Sequence, residues 1–189
     1  MRGPDGGSIA LMAMSPWHGD PALQDRFHPS HPNDLQVMVH DGEPRRTRRT
    51  PEACWVTVAG VHGVLRMPIA PSDALPVKSG TVSWAERPVY QGTLLNQPRQ
   101  LDTVRQGDTI LFVHAPGIPH LLHVTANYLA ERSQWVFVPC NKCGADQALD
   151  PPSIMARTRF PDMPEGSVMM SFTAFCPCGG TMMLSALES

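Results

Sequence analysis

The sequence predicts an α+β chain that is mostly β: a small, strongly bent sheet or barrel with one helix, followed by a smaller cysteine-bearing module. Three observations carry this. Short runs rich in β-branched and aromatic residues recur between Gly and Pro punctuation. One stretch alone has an extended helical pattern, and four of the five cysteines arrive as two pairs in the last quarter of the chain.

At 189 residues there is room for one full domain and a small appendage. Twenty prolines and 15 glycines imply frequent turns and short elements. Residues 1–26 combine Pro4, Gly6, Gly7, Pro16, Gly19 and Pro21 without periodicity and are expected to form a flexible arm, in which Met12 or Met14 can be the true start. Only Ser8 to Met14 resembles the apolar part of a secretory signal, and no run approaches the roughly 18 apolar residues of a membrane span. An odd number of cysteines fits a reducing compartment, so the expectation is a cytoplasmic protein with no membrane partner. A formal charge of -2 and a pI near 6.4 give no global attraction to nucleic acid.

A β-rich domain is expected over residues 27–138. Leu35, Val37 and Val39 alternate with polar residues before Asp41-Gly42, which reads as a strand and its turn. "ACWVTVAG", "VYQGTLLN" and "DTILFVHA" read as further strands, and "GVLRM" and "GTVSWA" as weaker ones. "PVKSGTVSWAERP" reads as an inserted loop or hairpin. "PHLLHVTANYLAERSQW" reads as the helix, with Leu122, Ala126, Leu129 and Ala130 sharing a face. Gly107-Asp108 supplies turn chemistry before the strand at Thr109, and Trp55 and Trp135 are expected to pack.

On Trp55-Val56, the Gly92, Leu94, Asn96 and Pro98 segment, Gly107-Asp108 and Trp135, residues 54–136 resemble the YegJ-like domain of unknown function found in small bacterial proteins. The stretch from Val61 to Arg87 is longer than that family carries, and Gln134 stands where it has an acidic residue. The resemblance implies a small β-rich fold and no defined chemistry.

Residues 139–189 read as a zinc-ribbon-like module. Cys140-Asn-Lys-Cys143-Gly144 has the spacing of a zinc knuckle, in which two thiolates converge from one tight turn closed by glycine. Cys176-Pro-Cys178-Gly179-Gly180 is one residue shorter, with an apolar run leading away as a ribbon strand does. Between the pairs, "ARTRF" and "VMMSFTAF" look strand-like. A redox dithiol and plain packing cysteines are the alternatives. Four thiolates fill a zinc ion's coordination and leave no position for substrate water, which points to folding or recognition.

Three other groups bear chemistry. His114, His120 and His123 form the remaining ligand cluster, able to make an open metal site with Glu131 or to serve merely as surface and cap residues. Cys54 in a β-run reads as a buried hydrophobe. Arg45, Arg46, Arg48 and Arg49 form a basic loop suited to an acidic protein surface, without the aromatic interleaving of an RNA binder. Together these favour a non-enzymatic, intracellular zinc-binding protein that acts as a protein-interaction or regulatory module, such as a bacterial immunity or accessory protein. A metal-dependent enzyme using the histidine region and a nucleic-acid-binding ribbon are the alternatives.

Overall fold

Alternating apolar residues build the first layer, as the computed structural model shows over the described residues, 15–69 and 82–187. In β2 (His31–Val39), Leu35, Val37 and Val39 point inward; a two-residue strand β1 (Phe27–His28) pairs along its outer edge. β2 runs antiparallel to β3 (Glu52–Ile69), with Leu35 opposite Val56 and Val37 opposite Cys54. β3 turns back as β4 (Ser83–Leu94), which pairs with β5 (Thr109–Val113), which pairs with β6 (Leu121–Val124).

Each hairpin step reverses direction, so the fifth strand runs the same way as the first. β6 therefore closes on β2 in parallel, Val37 opposite Leu121 and Met38 opposite Leu122, giving a five-stranded barrel without a free edge between them. Its interior holds Leu35, Val37, Val56, Tyr90, Phe112 and Leu121, and Leu23 is buried in the same core. Gly107 turns the chain into β5 at φ 90°, while the Asp108 carboxylate accepts from the Arg105 N–H at 2.7 Å. The Asn96 side-chain oxygen likewise accepts the Trp55 backbone N–H at 2.7 Å, so the residues behind the YegJ-like resemblance act here in turns and packing.

A second sheet takes the order β7-β9-β8, from β7 (Trp135–Val138), β8 (Ser171–Phe175) and β9 (Thr181–Ala186), all antiparallel. Its first strand thus begins four residues ahead of residue 139, because β7 finds its partner in β9 and not in the barrel. The long β3–β4 hairpin shifts register between Val58 and Gly60 and again between Val61 and Gly63. Such bulges bend a strand, and the distal residues Leu65, Met67 and Val89 join the core under the second sheet.

Four expectations are corrected. The single helix over 119–135 is instead β6, a cap and a short helix α2 (Ala126–Arg132), which Thr125 starts by accepting the Tyr128 N–H at 3.2 Å. All four β6 residues are buried because Leu121 faces the barrel interior while Leu122 and Val124 face the second core. A run apolar on both faces has no period-2 signature. "ARTRF" lies in helix α3 (Pro152–Arg159), not a strand; Pro152 occupies its first turn and Met155 and Ala156 face inward. With α1 (Pro44–Thr47) the chain has three α-helices among the described residues, not one. Residues 15–26 do not hang loose: Leu23 is fully buried and the Tyr90 hydroxyl donates to the Asp20 carboxylate. The remainder of the expected arm, residues 1–14, and residues 76–81 of the "PVKSGTVSWAERP" segment lie outside the described residues, while Ser83–Pro88 of that segment belong to β4.

Polar ties join the two layers. Arg87 of β4 forms a forked pair with Asp146, both bonds 2.8 Å, and donates to the His114 carbonyl at 3.0 Å. Arg132, 2% exposed, donates to the carbonyls of Trp135 at 2.7 Å and Asp146 at 3.2 Å, its guanidinium 4.0 Å from the Phe137 ring centre. Burial lowers its pKa, yet arginine keeps its charge, so those carbonyls and that ring face carry the desolvated cation. Arg132→Ala is expected to lower unfolding free energy by about 3 kcal/mol, from two charge-assisted bonds and their packing. Denaturant titration reads this directly; a loss under about 1 kcal/mol would mean the guanidinium barely outweighs its own burial cost.

Candidate metal centre

Two tight turns meet at the end of the second sheet. After β7, the Gly144 N–H bonds the Cys140 carbonyl at 2.9 Å and the Cys140 N–H bonds the Ala145 carbonyl at 2.8 Å. Between β8 and β9, the Gly179 N–H bonds the Cys176 carbonyl and the Cys176 N–H bonds the Gly180 carbonyl, both at 2.9 Å. Pro177 takes the second place of that turn, where its fixed φ belongs. The turn brings Cys178 round in one residue fewer than the usual knuckle spacing.

The turns are stitched together by backbone and side chain. The Asn141 N–H bonds the Thr181 carbonyl at 3.0 Å, and the Asn141 side-chain oxygen accepts the Thr181 N–H at 2.9 Å. Lys142 donates to the Cys178 carbonyl at 2.7 Å. A Cβ on Gly180 would lie 2.6 Å from the Cys140 sulfur, so only glycine allows this approach. From the barrel side, the loop between β5 and β6 rests on the first turn. Gly117 sits at φ +69°, and a Cβ there would fall 1.7 Å from the Cys143 carbonyl oxygen.

Cys140, Cys143, Cys176 and Cys178 consequently point at one another, all four sulfurs within 4.8 Å. Cys140 and Cys178 lie 3.5 Å apart and Cys143 and Cys176 3.6 Å apart, each close contact crossing between the turns. A tetrahedral thiolate site with metal–sulfur bonds near 2.3 Å has edges of about 3.8 Å. The donor set therefore fits a tetrahedral metal ion, while the sulfurs are too far apart to be disulfide-bonded. Backbone N–H groups of Cys143 and Lys142 hold the Cys140 thiol down to about 6, whereas burial pushes Cys176 up to about 12.

The other candidates are arranged differently. Among the described residues the cysteines are the one group of three or more His, Cys, Asp or Glu side chains with metal-ligating proximity. His114, His120 and His123 do not join Glu131, whose carboxylate instead accepts from Ser153 N–H at 2.8 Å and its hydroxyl at 2.6 Å at the start of α3. His123 is a buried strand residue, correcting the expected helix surface position. Its Nδ1 lies 3.1 Å from the His40 carbonyl oxygen and His40 Nε2 lies 2.7 Å from the His123 carbonyl oxygen. The Gly42 N–H donates to His40 Nδ1 at 3.0 Å, which leaves Nε2 as the donor of a neutral ring. This pair borders a pocket of about 340 Å³ that also takes in Asp41 and Asp108. Sequence pattern gave no sign of His40, whose partner is 83 residues away.

Cys54 is 1% exposed inside the barrel, and burial raises its pKa, as suits a packing thiol. Three of the four loop arginines are engaged within the chain. Arg45 reaches Asp150 at 3.3 Å and the Phe175 carbonyl, Arg46 pairs with Glu43, and Arg49 reaches Asp102 at 2.7 Å. No helix among the described residues is long and apolar enough to cross a membrane. No family model, curated protein or solved structure matches the chain, so the YegJ-like resemblance rests on the residues that suggested it.

The histidine pair makes a pH prediction. Burial and the neighbouring His40 depress His123 to about 3. Its folded value lies below that of an unfolded histidine, near 6.5, so the stability gained by keeping it neutral is complete above about 6.5 and is lost as pH falls toward 3. At pH 5 the loss is about 2 kcal/mol. Asp150 acts oppositely, burial raising it to about 6, so comparison with a variant is needed to isolate the histidine. The stability advantage of the native chain over His123→Asn should shrink by about 2 kcal/mol between pH 7 and pH 5 in denaturant titrations. An advantage independent of pH would contradict a neutral buried ring.

Proposed function

We propose that this chain is a non-enzymatic zinc-binding protein, in which one zinc ion clamps the two turns of a C-terminal ribbon that packs beside a β-barrel, and the assembly serves as a protein-interaction or regulatory module. The observation that carries the reading is the convergence of four cysteine sulfurs within 4.8 Å from two interlocked turns. Four thiolates of this spacing suit zinc, whose preference is tetrahedral sulfur and nitrogen ligation. A full ligand set gives the ion a folding role, because its binding free energy becomes part of folding free energy. Unbonded thiols and a thiolate metal site suit a reducing compartment, and a cytoplasmic location is proposed on that ground.

Metal analysis of the purified chain should find one zinc per molecule. Cys140→Ser and Cys176→Ser should each lose it and lower the thermal midpoint by more than about 10 °C, as expected when metal-binding energy is removed from folding. A chain grown with ample zinc that holds no metal and whose four paired thiols all react freely would sink the zinc reading. For the interaction role, the zinc-loaded chain should retain a stoichiometric protein partner that the Cys176→Ser variant releases. Zinc-independent turnover of a small substrate would argue for an enzyme instead.

A further inference from the structure

Between the barrel and the second sheet lies a cleft of about 810 Å³. Met38, Ile118, Leu122, Leu149, Phe175 and Met182 give it an apolar lining, and Arg45, Arg48 and Arg49 also line it. Two of these arginines are anchors. Arg45 ties the loop to Asp150 and the Phe175 carbonyl, and Arg49 ties it to Asp102. Arg48, exposed between them, has no carboxylate partner among the described residues.

Its backbone makes the same point from a different direction. Arg48 is the one non-glycine residue at positive φ among the described residues, at φ 60° and ψ 19°. It ends α1, a position that glycine fills without strain. A cationic side chain held on a strained backbone between two anchored neighbours, beside an apolar cleft, is placed to meet an anion. The buried carboxylate in the cleft lining, Asp150, is already answered by Arg45. Phe175, 53% exposed, carries the apolar surface out beyond the cleft, a larger contact than a small acid would cover.

We propose that this cleft docks a short segment of a partner protein, with apolar side chains against its lining and a carboxylate paired with Arg48. The assignment rests on the protein-interaction reading above and deepens it by naming the site and the chemistry of the partner. Arginine's planar fork matches a carboxylate, and an aromatic at the rim gives the contact an anchor. Cys143, Cys176 and Cys178 also line the cleft, so an occupant covers one side of the thiolate cluster.

The test uses the zinc-loaded full chain and fluorescein-labelled hexapeptides in which Leu or Phe alternates with Ser, carrying two Glu, two Gln or two Lys residues. By anisotropy, the Glu form should bind at least about tenfold more tightly than the Gln and Lys forms. Arg48→Gly should erase that preference while leaving thermal stability equal or raised, because glycine suits the φ. Thr50→Trp, a bulky change at an exposed lining position, should weaken all three peptides, and the bound Glu form should slow zinc loss to a chelator. Equal affinity for the three peptides, or a preference that survives Arg48→Gly, overturns the assignment. So does the absence of binding by the Glu form up to about 1 mM. Tighter competing binding of dodecanoate would make the cleft an acyl-chain site, and self-association abolished by Thr50→Trp would make it a contact between copies; either overturns the peptide assignment. Metal content separates the two readings, since a failed peptide assay on a chain holding one zinc leaves the module reading standing, whereas a metal-free chain sinks that reading.

Discussion

The barrel and the second sheet share one wall, the four residues Leu121–Val124 of β6, which have no exposed side chain. Leu121 fills the barrel while Leu122 and Val124 belong to the core beneath the β7-β9-β8 sheet. A strand covered on both faces cannot move without opening two cores, and each fully buried aliphatic contributes about 2 kcal/mol. The other inter-layer ties are arranged around this wall. His123 exchanges ring-to-carbonyl contacts with His40, beyond the end of β2, and the loop preceding β6 carries Gly117 onto the Cys143 carbonyl. The distal β3–β4 hairpin, bent by its two bulges, adds Leu65, Met67 and Val89 to the same core.

This arrangement makes the cysteine cluster something more than a terminal clasp. Its first turn continues from β7 and its second joins β8 to β9, so the cluster fixes all three strands at one end. Beyond the first turn, Asp146 receives Arg87 from the barrel, Gln147 accepts from the Tyr128 hydroxyl at 2.7 Å, and Asp150 receives Arg45. Residues 144–150 have little secondary structure of their own and are held by these side-chain bonds. Exposed ion pairs contribute little, but the Arg87–Asp146 fork is half-buried and geometrically specific, so it fixes position as well as adding stability.

What was legible in the sequence follows from the range of each signal. Alternation at Leu35, Val37 and Val39 exposed β2 because one face is buried and the other is half-open. The cysteine pairs were legible because thiolate spacing is local to a turn. β6 was hidden because burial on both faces removes the alternation, and the following Thr125 cap allowed a short helix to look like the continuation of a long one. α3 escaped because its eight residues present only Met155 and Ala156 to the core with Pro152, too few to mark a period. His40 with His123 and the separate anchoring of Arg45 and Arg49 depend on partners far along the chain, which residue spacing does not report.

The cleft beside the cysteine cluster owes its shape to elements that are already fixed for other reasons. One wall uses Met38 of β2 and Leu122 of β6, paired across the barrel closure. The second sheet contributes Phe175 of β8, Pro177 of the second cysteine turn and Met182 of β9. The arginine loop spans between them, bonded through Arg45 to the Phe175 carbonyl on one side and through Arg49 to Asp102 on the other. Walls held by strand pairing, a shared core and the interlocked cysteine turns would have little conformational entropy left to lose if the cleft were filled. Under the docking proposal, affinity then depends on what the occupant presents. A metal ion bound by all four cysteines would have no open coordination position to offer; its effect on the cleft would be geometric, holding the Cys176–Cys178 turn, and with it one side of the cleft, in place.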